Sequence, residues 1–302
     1  MAEPPVRIST RSQTQTGMVL ALAGFALLSC GDGIIKSIAG EWPGGAVATL
    51  RYIFGAFILT GLMAAKEGKS GLVTQRPWLH LGRGASVAIG GTCFFAAIFL
   101  MPLSEATAIQ FTNPMFVAVG SALFVREHAS RAVWACTLVA FAGVLIVLRP
   151  NVGLLGWSAL LPVGTALTMA SMMILNRMAI GEGGALKMQY LISVFALPVL
   201  VLLTLLTTRD AQGGFSLPMP STSLVIKCAI VSVTASCAHG LLYMATEKAS
   251  AAVIAPMTYV QLIVSILIGY FAYGDVPDLT AMAGSVLIVG AGLVLWRIQA
   301  RH

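Results

Sequence analysis

A chain of 302 residues that is 58% hydrophobic and only 10% charged, with a mean hydropathy of +0.89, cannot cover itself with polar surface as a soluble domain does. Its solvent is the bilayer. The formal net charge of +7 therefore reads as orientation of membrane spans rather than as affinity for nucleic acid.

A spanning helix needs about 20 mostly apolar residues. Ten such stretches follow one another: Gly17 to Ala39, Gly45 to Ala65, Leu79 to Met101, Thr107 to Val125, Arg131 to Leu148, Gly156 to Ala179, Lys187 to Thr207, Leu224 to Ala249, Ala251 to Tyr270 and Leu279 to Trp296. The expected fold is an all-α polytopic membrane protein. "LLSC" at Leu27 to Cys30 looks faintly like a lipoprotein signal, but the apolar stretch continues past the cysteine and nine more spans follow, so it is taken as part of the first span. The five cysteines all fall inside apolar stretches, where cysteine behaves as a small hydrophobe; no disulfide and no metal site is expected.

Placing the N-terminus in the cytoplasm puts 13 of the 18 Lys and Arg residues on the inner side and three, Arg149, Arg209 and Lys227, on the outer. That asymmetry predicts that both termini are cytoplasmic. The remaining two basic residues, Lys36 and Arg51, lie inside spans.

In the first span, "SCGDGIIKSIAG" sets Asp32 and Lys36 four residues apart on one helix face. Asp32 lies roughly 6 Å outward of the span centre at 1.5 Å per residue, and Lys36 one turn further. Arg51, in "LRYIFGAF", enters the second span at a similar level. Each such charge costs up to about 2.5 to 3.5 kcal/mol at membrane depth. If Asp32 pairs with Lys36, the Arg51 guanidinium is left to draw a carboxylate, phosphate or other anion into a hydrated cavity. The alternative is an internal salt-bridge triad that fixes the first two spans, with Lys36 reaching toward the surface.

The sequence also repeats itself. Gly24 to Lys36 matches Gly164 to Asn176 at an offset of 140, "GGAVATLRYIFGAF" from Gly44 lies over "GGALKMQYLISVF" from Gly183, Glu105 and Pro114 meet Glu247 and Pro256 at 142, and Glu127 and Arg149 meet Asp275 and Arg297 at 148. Five spans per copy is odd, so the copies enter the membrane from opposite sides. The expected organisation is a cytoplasmic tail (1–16), a first five-helix repeat (17–150), a second, inverted one (151–297) and a C-terminal tail (298–302) around a central cavity. Inverted repeats of this kind place a substrate site near midplane at the repeat interface. The second copy has Met172 where the first has Asp32, Asn176 for Lys36 and Gln189 for Arg51.

Pro114, in "QFTNPMFVAV", and Pro256, in "AAVIAPMTYVQ", each interrupt the first half of a span and are hinge candidates, or else plain packing kinks. Gln110 beside the first proline is a candidate to line the cavity, and Thr112, Asn113, Thr258 and Gln261 beside the two prolines are candidates to bond a freed carbonyl or to line the cavity instead. His239 sits near the middle of the eighth span, where it could bind substrate or, like Asp32, carry a coupled proton. Phe95, Phe99, Tyr243 and Tyr259 are candidates for an aromatic wall. Ser104, Glu105, Glu247 and Ser250 in the tight hairpins read as caps of the helices that follow.

Rival classes lack their parts. An intramembrane aspartyl protease needs two facing carboxylates, and Asp32 is the one Asp or Glu well inside a span; HExxH, GxSxG and a P-loop are absent from the sequence. A scaffold subunit stays open as an alternative.

Ten spans in two halves, "LLSCGDGIIKSIAG" followed by "LRYIFGAF", and "EATAIQFTNPMFVAV" followed by "REH" resemble the drug/metabolite transporter superfamily, EamA type. The resemblance covers almost the whole chain. It implies a bacterial inner-membrane carrier without cofactor, monomeric or weakly dimeric, that alternates its opening and exports a small polar metabolite, an amino acid or related compound. Uptake of a vitamin or nucleotide-like metabolite such as riboflavin or S-adenosylmethionine is the alternative. Either proton coupling or simple facilitation would drive it. The resemblance also carries site roles to Asp32, Lys36 and Arg51, and the proline positions to Pro114 and Pro256.

Overall fold

The computed structural model describes residues 11–113, 115–116, 131–179, 181–208, 217–248 and 255–299. Among them every regular element is helical. In chain order these are α1 (Arg11–Lys36), α2 (Gly44–Gly71), α3 (Pro77–Leu100), α4 (Leu103–Gln110), α5 (Arg131–Leu155), a 3-10 turn (Gly156–Leu160), α6 (Leu161–Met178), α7 (Ala185–Thr207), α8 (Thr222–Lys248), a second 3-10 turn (Ala255–Tyr259), α9 (Val260–Tyr273) and α10 (Leu279–Gln299). Six of them, α1, α2, α3, α7, α8 and the 3-10 turn running into α6, are long and apolar enough to cross a bilayer, and shorter apolar helices lie within α5, α9 and α10. The protein is an all-helical, multi-pass membrane protein. Large apolar side chains such as Phe57, Trp157 and Phe271 are correspondingly exposed around the outside.

Several boundaries differ from the hydropathy reading. The fifth span, expected to stop at Leu148, stays helical to Leu155 and breaks at Gly156, whose φ of 59° suits a residue without a side chain. The hairpin cap is not a serine: α4 starts straight after Pro102 without a side-chain capping bond, and Glu105 sits in its first turn. Pro102 has no N–H to satisfy and its fixed φ suits a helix start. Pro114 lies outside the described residues, as do the side chains of Pro256, Tyr243 and Glu247 and all of Ser250. The helix breaks before the first proline and at the second: α4 ends at Gln110, Phe111–Thr112 form a turn and Asn113, Met115 and Phe116 are helical again, while Pro256 falls in the 3-10 turn before α9.

Two packing units frame the molecule. α5 and α10 pack on each other through glycines, since a Cβ at Gly284 would stand 2.6 Å from the Gly143 carbonyl oxygen. Small residues let helix backbones approach this closely in a membrane, where dispersion contacts rather than water exclusion drive association. α1, α2, α3, α6, α7 and α8 pack pairwise in the rest. The α3–α7 crossing is the tightest, a Cβ at Gly84 falling 2.5 Å from the Phe195 carbonyl carbon. Around these crossings runs one continuous apolar core built from Ile35, Val47, Ile98, Ile109, Leu200 and Leu224 among others.

Candidate functional site

Between the helices lies a cavity of about 170 Å³. A single water needs about 10–15 Å³, so this space holds a solute or many waters. Each lining helix offers one face at helical spacing. α1 gives Leu28 and Asp32, and α2 gives Arg51, Tyr52, Gly55 and Leu59. α3 contributes Val87, Gly90, Gly91, Phe94 and Phe95. From the second half of the chain come Thr165, Met169 and Met172 of α6, then Gln189 and Ser193 of α7. Ser232, Ser236 and His239 of α8, with Gln110 of α4 and Gln261 of α9, complete the wall. Among the described residues the packed pair α5 and α10 contributes nothing to it.

Five of the ten candidate binding residues therefore line one cavity: Asp32, Arg51, Phe95, Gln110 and His239. Lys36, Phe99, Asn113 and Tyr259 sit outside the wall. Phe99 shares a face with Phe95 but lies one turn nearer the helix end and packs on the apolar core. Tyr259 meets Phe111 edge to face, ring centroids 5.4 Å apart. The Oδ1 of Asn113 is buried and has no hydrogen-bond partner among the described residues. The sequence reading did not single out Tyr52, Ser232 and Ser236, whereas Gln261, a candidate beside the second proline, does line the wall. Gln189 had been matched to Arg51, and Met172 to Asp32, through the repeat; all four positions face the same space.

Arg51 is held flat. Its guanidinium carbon stands 4.7 Å from the Tyr52 ring centroid and 5.2 Å from that of Phe95. Cation–π contacts of this kind contribute about 0.5–2 kcal/mol and hold the guanidinium in place. The buried Nε has no hydrogen-bond partner among the described residues, and neither Arg51 nor Asp32 makes an ion pair within 4.0 Å.

The pairing of Asp32 with Lys36 is not what the chain adopts. Lys36 closes α1 and turns to Asp275 in the α9–α10 connection, Nζ to Oδ2 at 2.5 Å, with the Met101 carbonyl at 3.4 Å. Left-handed Gly274 (φ 66°) ends α9, and the Asp275 N–H then reaches back to the Gly269 carbonyl at 2.9 Å, which aims the carboxylate at α1. Tyr273 adds a 2.6 Å hydrogen bond from its hydroxyl to the Gly33 carbonyl.

A second polar knot ties the opposite end. Arg83, 2% exposed, donates from Nε to Asn176 Oδ1 at 2.7 Å and from Nη1 to His80 Nδ1 at 2.8 Å. Guanidinium only donates, so His80 Nδ1 accepts and its ring proton sits on Nε2, 3.9 Å from the Glu182 carboxylate. Arg76 pairs with Glu182 at 3.2 Å. Arg83 had been read as one of the inner-face positive charges; here it is buried. α3 is the ruler that separates the two ties. His80 and Arg83 lie at its start, Val87 to Phe95 line the cavity along its middle, and the Met101 carbonyl follows its end, roughly 25 Å from Arg83 at 1.5 Å per residue. Both ties join the first half of the chain to the second.

Comparison with known proteins gives the family. The EamA-like transporter family matches residues 15–149 and again residues 156–297. A riboflavin transporter of Rhizobium johnstonii is 29% identical, over 94% of this chain and 91% of its own length. An S-adenosylmethionine uptake transporter of Rickettsia bellii is 25% identical over 82% of each chain. A pseudopaline exporter of Pseudomonas aeruginosa is 27% identical over 94% of this chain and 97% of its own.

Proposed function

The chain belongs to the EamA-like transporter family, and from that premise we propose that it is a secondary carrier that exports a small polar organic metabolite across the bacterial inner membrane by alternating access. The cargo on this reading is an amino acid or related compound. The observation that carries the proposal is the cavity: helices from both halves of the chain line it, and it holds Arg51, set against the Tyr52 and Phe95 rings with its Nε unbonded among the described residues, at membrane depth. A charge kept there at a cost of up to about 2.5 to 3.5 kcal/mol is retained for a solute. Inverted halves would exchange roles about this midplane site, bending where α4 and the start of α9 leave the helix near Pro114 and Pro256. Asp32 and His239, both in the wall, are the candidates to carry a coupled proton.

Uptake of a vitamin or nucleotide-like compound is the second reading, favoured by the riboflavin transporter's 29% identity over most of both chains. The test is flux in proteoliposomes of labelled amino acids, riboflavin and S-adenosylmethionine, with and without a proton gradient. Saturable flux of one of them supports the carrier, its identity and gradient dependence choose between the readings, and loss of that dependence in His239→Ala assigns the proton to His239. A protein that moves none of the panel under either condition contradicts the proposal.

A further inference from the structure

The Arg83 knot closes one end of the cavity. Arg83 reaches Asn176 of α6 at 2.7 Å and the Met188 sulfur of α7 at 3.4 Å. Val87, Met172 and Ile192, each four residues from Arg83, Asn176 and Met188 on the same three helices, line the cavity. The guanidinium therefore bridges α3, α6 and α7 one turn, about 5.4 Å, beyond the wall on each of them. Beside it α3 and α7 approach backbone to backbone at Gly84 and Phe195. The bridge is held by a histidine: Arg83 Nη1 donates to His80 Nδ1 at 2.8 Å, while His80 Nε2 is buried, 3.9 Å from the Glu182 carboxylate and without a hydrogen-bond partner among the described residues.

A neutral ring with its proton on Nε2 can take a second proton at one atom, Nδ1, the atom that accepts from Arg83. That proton turns the acceptor into a donor and sets an imidazolium against a guanidinium, so the bond that aims Arg83 at Asn176 is lost. Among the described residues the charged groups facing the ring are Arg76 and Arg83 of α3, Glu182 of the α6–α7 connection and Lys187 at the start of α7. Glu182, which Arg76 already holds at 3.2 Å, attracts the ring at Nε2, but that pull does not restore an acceptor at Nδ1. We infer that His80 is a proton-operated latch: neutral, it holds Arg83 across α3, α6 and α7 and keeps this end of the cavity shut; protonated, it releases Arg83 and lets the end open. Because the ring is buried, the proton is taken up when the knot opens transiently, and it then prevents the bond from re-forming. The other end is tied differently. The repeat sets Lys36 opposite Asn176 at an offset of 140, and Lys36 pairs directly with Asp275, with no histidine between them. Acid over about pH 8 to 5, where histidine changes charge, therefore acts on one mouth. This inference rests on the carrier reading and adds regulation of its cavity.

The test uses the whole chain in lipid vesicles, its five native cysteines replaced by alanine and one cysteine introduced at the cavity wall, Met172→Cys. A membrane-impermeant thiosulfonate is applied from the side on which a separate reporter, Ser70→Cys at the exposed end of α2, reacts. Each rate is divided by that of the reporter at the same pH, which removes the titration of the thiol itself. The normalised rate at position 172 is expected to rise at least about fivefold from about pH 8 to about pH 5.5, the effect of losing one hydrogen bond. In His80→Gln, whose amide oxygen accepts from Arg83 and takes no proton, it is expected to stay low at both. Arg83→Met, which removes the bridge, is expected to react fast at both. A rate that does not rise with acid, a rise that survives in His80→Gln, or a rate that stays low in Arg83→Met would overturn the inference. Flux separates this from the carrier reading: saturable transport without pH-dependent labelling sinks only the latch, whereas pH-dependent labelling without transport of any solute sinks only the carrier.

Discussion

Arg51→Ala is expected to lower the initial rate of solute flux by at least about 25-fold while leaving the protein folded and in the membrane. On the proposed reading the side chain would give a solute two or more charge-assisted hydrogen bonds inside a low-dielectric cavity, and truncating one member of such a pair costs about 2–5 kcal/mol; each 1.4 kcal/mol is tenfold. Stability moves little in the opposite sense, since an unpaired buried charge is removed at the cost of two ring contacts, with the Tyr52 and Phe95 faces. Arg51→Lys keeps the charge but loses both the fork and the stacking, so an intermediate rate is expected. Flux measured in proteoliposomes at matched protein incorporation checks it. Wild-type rates in Arg51→Ala would remove the cavity's cation from any part in transport.

Asp275→Ala is expected to destabilise the protein by about 1–3 kcal/mol and to slow transport. The Lys36 side chain is only 11% exposed and that of Asp275 23%, so removing the carboxylate leaves the ammonium with the Met101 carbonyl and the face of the Tyr273 ring, 5.1 Å from its centroid. A fully buried pair broken on one side would cost about 3–5 kcal/mol, and the partial exposure of both groups lowers that figure. The charge swap Lys36→Asp with Asp275→Lys should recover part of both losses, which a mere packing defect would not allow. This tie and the His80–Arg83–Glu182 knot lie at opposite ends of α3, so under the proposed alternating access each would open in turn, and the single variant should change rate more than affinity. An unaltered melting temperature in Asp275→Ala would show that the ion pair carries no stability.

The helical, membrane-embedded character of the chain was legible because apolar runs of spanning length need no tertiary information. The helix ends were less so. The start of α4, its end at Gln110 and the 3-10 turn that holds Pro256 depend on where freed carbonyls find partners, which hydropathy averages away. Within the site, Asp32 and Arg51 stood out through the cost of their charge. Local spacing then misassigned the partner of Lys36: an i, i+4 carboxylate is the obvious choice within one helix, whereas Asp275 is 239 positions away and is brought in by the left-handed turn at Gly274. Ser232 and Ser236 were readable as one face with His239, yet small hydroxyls in a membrane helix bond to their own backbone, as Ser236 does to the Ser232 carbonyl at 2.8 Å, and carry no signal of what they face. Arg83 was counted as a surface charge because it sits near a span's end; Asn176 and His80 draw it inward.

The central claim is that the space between the two halves is a hydrated solute path that opens to each side in turn. Its most direct test places one cysteine in the wall, Ser236→Cys, in a variant whose five native cysteines are alanine, and treats oriented vesicles with a membrane-impermeant thiosulfonate from either side. The account requires Cys labelling at position 236 from both sides, each slowed when a transported solute saturates the cavity. Labelling from neither side, or from one alone under every condition, would contradict it.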